Sequence, residues 1–198
     1  MARDDFQTLA RPQWPEHGRL RMAAYFRLFR HLRVVRARTM RHFHKRKLDR
    51  SASDPQPVSG AYAVPMWPDW SDRTFAYCHY GTYGSYLSAA LAAIDQPFAF
   101  LDIGANQGLY SLVASCNPQC RKVVSLEPVP ATYAKLQRNV AVNGFEDRAT
   151  LINAALADRT GTAEIALKPE HSGAATLRGG TDFGGTSQSI RLISIAEL

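Results

Sequence analysis

The chain has 198 residues, 45% of them apolar and 10% aromatic, and a formal charge of +7; this is enough for one ordinary domain plus an appendage and excludes a protein disordered throughout. Three cysteines, Cys78, Cys116 and Cys120, exclude a disulfide framework and make no metal site; no stretch reaches the roughly 18 apolar residues of a membrane span, so a cytoplasmic protein is expected. The charge is uneven: residues 1–50 carry 14 Lys and Arg against 4 Asp and Glu, while residues 51–198 carry 10 against 13.

In chain order, residues 1–18 hold Pro12, Pro15 and Gly18 and read as an irregular lead-in. From Arg19 to Arg50 the pattern is helical, with Met22, Tyr25, Phe26, Phe29, Leu32 and Val35 at three- and four-residue steps. Past Val35 the helix is basic on nearly every side. Residues 1–50 are thus a basic, partly amphipathic arm. Alternatives to a docked or solvated helix are an anionic membrane surface or an acidic partner through residues 19–50; nucleic acid is least favoured, because the rest of the chain has no basic surface to extend the footprint. Residues 51–71, with Pro55, Pro57, Pro65 and Pro68, read as a Pro/Ser-rich linker, and a domain is expected over 72–198.

That domain opens with a strand expected at Arg73–Tyr77, a turn at Gly81 and Gly84, and a helix over Tyr86–Ile94 that ends before Pro97. Tyr80, Tyr83 and Tyr86 flank the turn and are expected to pack. Phe98-Ala-Phe-Leu-Asp-Ile-Gly-Ala-Asn-Gln-Gly108 then reads as a buried strand entering a glycine turn that brings the backbone close to a ligand, with a helix from Leu109. Lys122-Val-Val-Ser-Leu-Glu127 is a second apolar run ending on an acid, which completes a βαβ unit. An acid at this spacing offers its carboxylate to ribose hydroxyls. The dinucleotide fingerprint is not met, because Asn106 and Leu109 stand where glycines are required. A ligand with ribose but no phosphate fits better, and S-adenosylmethionine is one; another Rossmann nucleotide binder is the alternative.

At these residues the chain resembles the FkbM-type S-adenosylmethionine-dependent methyltransferases. The resemblance rests on Phe100-Leu-Asp-Ile-Gly-Ala-Asn-Gln-Gly-Leu-Tyr-Ser111, Leu126-Glu-Pro-Val-Pro130, Leu136-Gln-Arg-Asn-Val-Ala-Val-Asn-Gly144, Ala149-Thr-Leu-Ile-Asn-Ala-Ala155 and Leu156-Ala-Asp-Arg-Thr-Gly161. It implies an α/β fold with a Rossmann-like class I methyltransferase sheet, and O-methylation of a hydroxyl on a sugar, glycan, lipid or polyketide. By position it assigns Asp102, Gly104, Ala105, Asn106 and Gly108 to the cofactor loop, Glu127 to the ribose, and Asn153 and Ala154 to the adenine.

Farther along, Thr162–Lys168 alternates like a strand, Ser172-Gly-Ala-Ala-Thr-Leu177 resembles the family's segment in the same place, 179–187 reads as a flexible loop, and Ile190–Ile193 reads as a returning strand. Similar proteins continue into later core strands, so the chain is expected to be the first part of a catalytic domain, or a fragment that at most binds cofactor. The catalytic base is left unassigned; His79 and His171 are candidates by residue type, each read first as a solvated loop histidine.

Overall fold

The computed structural model describes residues 56–168, 170–177 and 186–198. The basic arm at 1–50, the start of the linker and most of the 179–187 loop lie outside the described residues.

Residues expected as linker form an antiparallel pair, β1 (Val58–Ser59) with β2 (Pro65–Met66), and Tyr62, Val64 and Met66 are buried in the main core. The prolines misled because proline is tolerated on an edge strand, and Pro65 stands on one. Arg73–Tyr77, expected as a strand, is instead helix α1 (Arg73–His79): Asp72 is extended and accepts a hydrogen bond from the Thr74 N–H, so an N-cap overrides the β-preferring Thr-Phe-Ala-Tyr run. Helix α2 (Ser85–Ala92) follows the left-handed Gly84.

The centre is the βαβ unit. Strand β3 (Phe98–Ile103) leads through the glycine turn to α3 (Leu109–Cys116), then β4 (Cys120–Leu126), α4 (Pro130–Val142) and β5 (Ala149–Ile152). The three strands form a parallel sheet in the order β3-β4-β5, with Asp102 beside Ser125 and Leu126 beside Ile152. Leu112, Val123 and Leu136 are fully buried between sheet and helices, and each such side chain contributes about 1.5–3 kcal/mol. Pro130 at the start of α4 lacks the N–H that the first helical turn leaves unpaired, which suits it to that position.

The stretch Ala149–Ala155, expected as one strand, divides. Its first part is β5; its end belongs to β6 (Ala155–Ala157), which pairs with β8 (Ser187–Ser194) in a second sheet ordered β6-β8-β7, where β7 is Gly161–Ala166. Strand β3, read as buried, is covered on one face: Phe98 and Phe100 pack on the core, whereas Leu101 and Ile103 are 40% and 56% exposed. Among the described residues β3 pairs with β4 alone, so its other edge is open.

Candidate functional site

The turn after β3 is shaped by three left-handed residues, Gly104 (φ +75°), Asn106 (φ +52°) and Gly108 (φ +92°). The two glycines serve different ends. A Cβ on Gly108 would lie 2.5 Å from Leu136 Cδ1, so packing of α4 demands glycine there; a Cβ on Gly104 would meet nothing within 4 Å, so the backbone faces open space at the carboxyl end of the sheet. Asn106 tolerates its conformation as asparagine can, and its Oδ1 accepts from the Gln107 N–H at 2.9 Å.

Every backbone N–H from Gly104 to Gly108 already has an acceptor. Gly104 and Ala105 donate to the Leu126 carbonyl at 2.9 and 2.8 Å, Asn106 donates to Glu127 Oε2 at 2.9 Å, Gln107 to Asn106 Oδ1, and Gly108 to the Ala105 carbonyl at 2.8 Å. A phosphate cradle presents free N–H groups to its anion. This turn spends them on itself, which disfavours pyrophosphate on physical grounds beyond the missing glycines.

Glu127 is buried and bridges two backbone segments, Oε2 accepting from Asn106 and Oε1 from the Val129 N–H at 3.0 Å. Burial pushes its carboxyl above the ordinary value; the hydrogen bonds from Val129 and Asn106 oppose this, and the charge of Asp102 adds to it. Each carboxylate oxygen has two acceptor sites, so Glu127 keeps capacity for a ribose hydroxyl. Asp102 is turned the other way: its Oδ2 accepts from Ser111 Oγ at 2.5 Å, and Ser111 Oγ lies 2.8 Å from Ser125 Oγ, tying α3 to the sheet beneath the turn. Its carboxyl is likewise raised by burial, with the Ser111 bonds opposing.

Asn153 Nδ2 donates to the carbonyls of Glu127 and Pro128 at 2.8 and 3.1 Å, which fixes the main chain of the acid. Ala154 is fully buried with Leu126 and Ile193. The structure thus gathers Gly104, Asn106, Gly108 and Glu127 at one place, buries Ala105 in the turn, and sets Asp102, Asn153 and Ala154 as supports. Sequence reasoning missed Gln107 and Asp72, joined by a 2.7 Å hydrogen bond, and the contact of Ser172 Oγ with Asn106 Oδ1 at 3.1 Å. Only Ser172 carried a signal, as part of the family-like segment at 172–177.

The two candidate histidines meet aromatic rings instead of standing free in solvated loops. His79 packs against Trp70, Phe75 and Tyr80, while His171 meets Tyr77 edge-on at 5.8 Å. Tyr83 and Tyr86 are exposed rather than packed, though Tyr83 lies 6.0 Å from Tyr110. Cys78, Cys116 and Cys120 are free thiols, and burial raises that of Cys78 to about 12, which leaves it unreactive. Among the described residues no three His, Cys, Asp or Glu side chains group to hold a metal, and no helix is long and apolar enough to cross a membrane.

A Rossmann-like methyltransferase domain is the class that this sheet, glycine turn and strand-end acid define. Residues 102–198 match the family described as the Methyltransferase FkbM domain, and over this stretch the chain is similar to that family. S-adenosylmethionine is the cofactor the family implies, and the residues fit it: the open side of Gly104 leaves room for the amino-acid end, and Glu127 retains acceptor sites for the ribose. The methyltransferase sdnD of Sordaria araneosa is 33% identical over 83 residues, 42% of this chain; the chain spans about a third of that relative, 32% of its length. Among solved structures, TYW2 of P. horikoshii in complex with MeSAdo is 21% identical over 47% of this chain and 33% of its own, with a TM-score of 0.40. A SAM-dependent methyltransferase from Agrobacterium tumefaciens is 16% identical over 52% of this chain and 33% of its own, with a TM-score of 0.38.

Proposed function

We infer that the chain binds S-adenosylmethionine between the Gly104–Gly108 turn and Glu127 and serves O-methylation of a hydroxyl on a sugar, glycan, lipid or polyketide. The observation that carries the cofactor reading is the turn itself: its amides are internally satisfied, its first glycine is open, and a buried acid stands beside it. When bound, the cofactor supplies a methyl group on a sulfonium sulfur. The part of this chain is to hold and orient: Glu127 fixes the ribose, the turn admits the amino-acid end, and the Asn106–Glu127 bond keeps the two in register before anything binds. Such preorganisation spares binding the cost of ordering a loop. Positioning an acceptor oxygen in line with the methyl is the main rate effect expected, with a base taking the hydroxyl proton.

Calorimetry with S-adenosylmethionine, NAD and ATP tests the reading, and binding of the first alone is expected. Glu127→Ala should weaken that binding about tenfold or more, since losing charge-assisted hydrogen bonds costs about 1.5–3 kcal/mol. Unchanged affinity removes Glu127 from the site.

The split of charge between residues 1–50 and the rest supports a second role, in which the arm holds the protein, otherwise cytoplasmic, on an anionic membrane surface near a lipid-linked acceptor. Deleting residues 1–50 should then abolish sedimentation with anionic vesicles and leave cofactor affinity intact; equal sedimentation of both forms defeats this role.

A further inference from the structure

Asp72 precedes the stretch that matches the family, yet it is 2% exposed and its carboxylate is used on both sides. Oδ1 accepts from the Thr74 N–H at 2.9 Å and from the Ser172 N–H at 3.1 Å. Oδ2 accepts from Gln107 Nε2 at 2.7 Å and faces Lys135 Nζ at 3.7 Å. Capping α1 requires only the Thr74 contact. Burying the charge is costly unless its lone pairs are taken up, so the other three contacts call for a reason of their own.

Those contacts lead to two segments. Gln107 belongs to the cofactor turn; it is buried, and its carbonyl accepts from Asn139 Nδ2 at 2.8 Å. Ser172 begins a 3-10 turn, Ser172–Ala174, which crosses to the same place: Ser172 Oγ donates to Asn106 Oδ1, and the Gly173 N–H donates to Thr74 Oγ1 at 2.9 Å. Just upstream, the Arg73 N–H donates to the Glu170 carbonyl at 2.9 Å. The fit at Gly173 is close, since a Cβ there would lie 3.1 Å from Thr74 Oγ1.

We propose that Asp72 is a positioning residue for the cofactor site: through Gln107 it fixes the glycine turn, and through Ser172 it holds the 170–174 segment against that turn as a wall of the site. The proposal rests on the S-adenosylmethionine reading above. It makes the segment before residue 102 part of the functional unit, with α1 as the bracket joining turn and wall.

A donor–acceptor swap tests it in the full chain. In Asp72→Asn the charge facing Lys135 is lost and, with Gln107 turned as in the parent, an NH2 group faces donors, either the Thr74 and Ser172 amides or Gln107 Nε2 and Lys135. In Gln107→Glu two carboxylates face each other. In the double variant the amide and carboxylate trade places and the bond re-forms with opposite polarity. Each single change should weaken S-adenosylmethionine binding about tenfold or more, and the double should recover to within about threefold of the parent. Amide hydrogen exchange supplies a readout that needs no ligand: residues 104–108 and 172–174 should exchange faster in the singles and return to parental rates in the double. If Asp72→Asn does not fold, Gln107→Leu takes its place; it should loosen the turn while leaving 172–174 protected. Should the parent bind no cofactor, the methyltransferase reading fails while the exchange pattern still judges Asp72. Singles with parental exchange, or a double no better than the singles, overturn the proposal.

Discussion

At its carboxyl end β3 runs into a turn where each amide is bonded and two buried carboxylates are tied to neighbouring groups. Along its length the same strand shows Leu101 and Ile103 to solvent beside an edge that, among the described residues, has no partner. The first region is finished by residues that lie close by, while the second awaits apolar cover. A turn can be fully bonded in a fold whose flank is bare among the described residues, because the turn is held by α1, α3 and α4 whereas Leu101 and Ile103 lie on the other face of β3. An unpaired, apolar strand edge with no Lys or Pro in Phe98–Ile103 is a surface on which chains associate.

The largest effect should come from breaking the finished region. Gly108→Ala combines left-handed strain with collision against Leu136 and should cost about 2–4 kcal/mol of stability in urea denaturation. Gly104→Ala meets no neighbour, so about 1–2 kcal/mol of strain is expected, together with lost cofactor affinity as the added methyl enters the open space. Equal destabilisation by the two would erase the distinction between a packing glycine and an opening one.

A smaller effect is expected in the pH dependence. Burial holds Glu127 and Asp102 above the ordinary carboxylate value, so between that value and the raised one the folded state binds more protons than the unfolded chain. Stability contributed by these groups therefore falls as pH rises through that window. Cofactor affinity should run the other way, since an ionised Glu127 is the better acceptor for ribose hydroxyls. Glu127→Gln should flatten both trends when denaturation and calorimetry are followed from about pH 4 to about pH 8. A variant that keeps the parental slope assigns the pH dependence elsewhere.

The smallest stability change belongs to the flank. Leu101→Lys with Ile103→Lys replaces exposed side chains and should alter folding stability by no more than about 0.5 kcal/mol for each change. Self-association of the parent on size-exclusion chromatography should diminish in this variant. A parent that is monomeric at all concentrations would mean that the flank is already covered.

What was legible in the sequence was local. Alternating or continuous apolar runs gave β3 and β4, and the left-handed demands at Gly104 and Gly108 marked the turn, because those constraints act within a few residues. The hairpin at 58–66 escaped because its prolines resemble those of a linker, and only the inward placement of Tyr62, Val64 and Met66 reveals a core element. Helix α1 escaped because Thr-Phe-Ala-Tyr has the composition of a strand, whereas the capping carboxylate of Asp72 turns the segment into a helix. The role of Asp72 was illegible for a different reason: its partners Gln107 and Ser172 are distant in sequence, and no spacing rule joins them. Asp102 was legible as part of the turn, but the direction of its side chain, down toward Ser111, is set by the packing of α3.

The division of 149–157 between two sheets has a mechanical consequence. Ile152 ends one sheet and Ala155 begins the other, so only Asn153 and Ala154 lie between them, and Asn153 grips the main chain of Glu127 and Pro128. The β6-β8-β7 sheet therefore cannot peel away as an independent foldon without pulling on the segment that carries the acid. Displacement of the outer strands would thus be felt at the main chain of Glu127 through a joint two residues long.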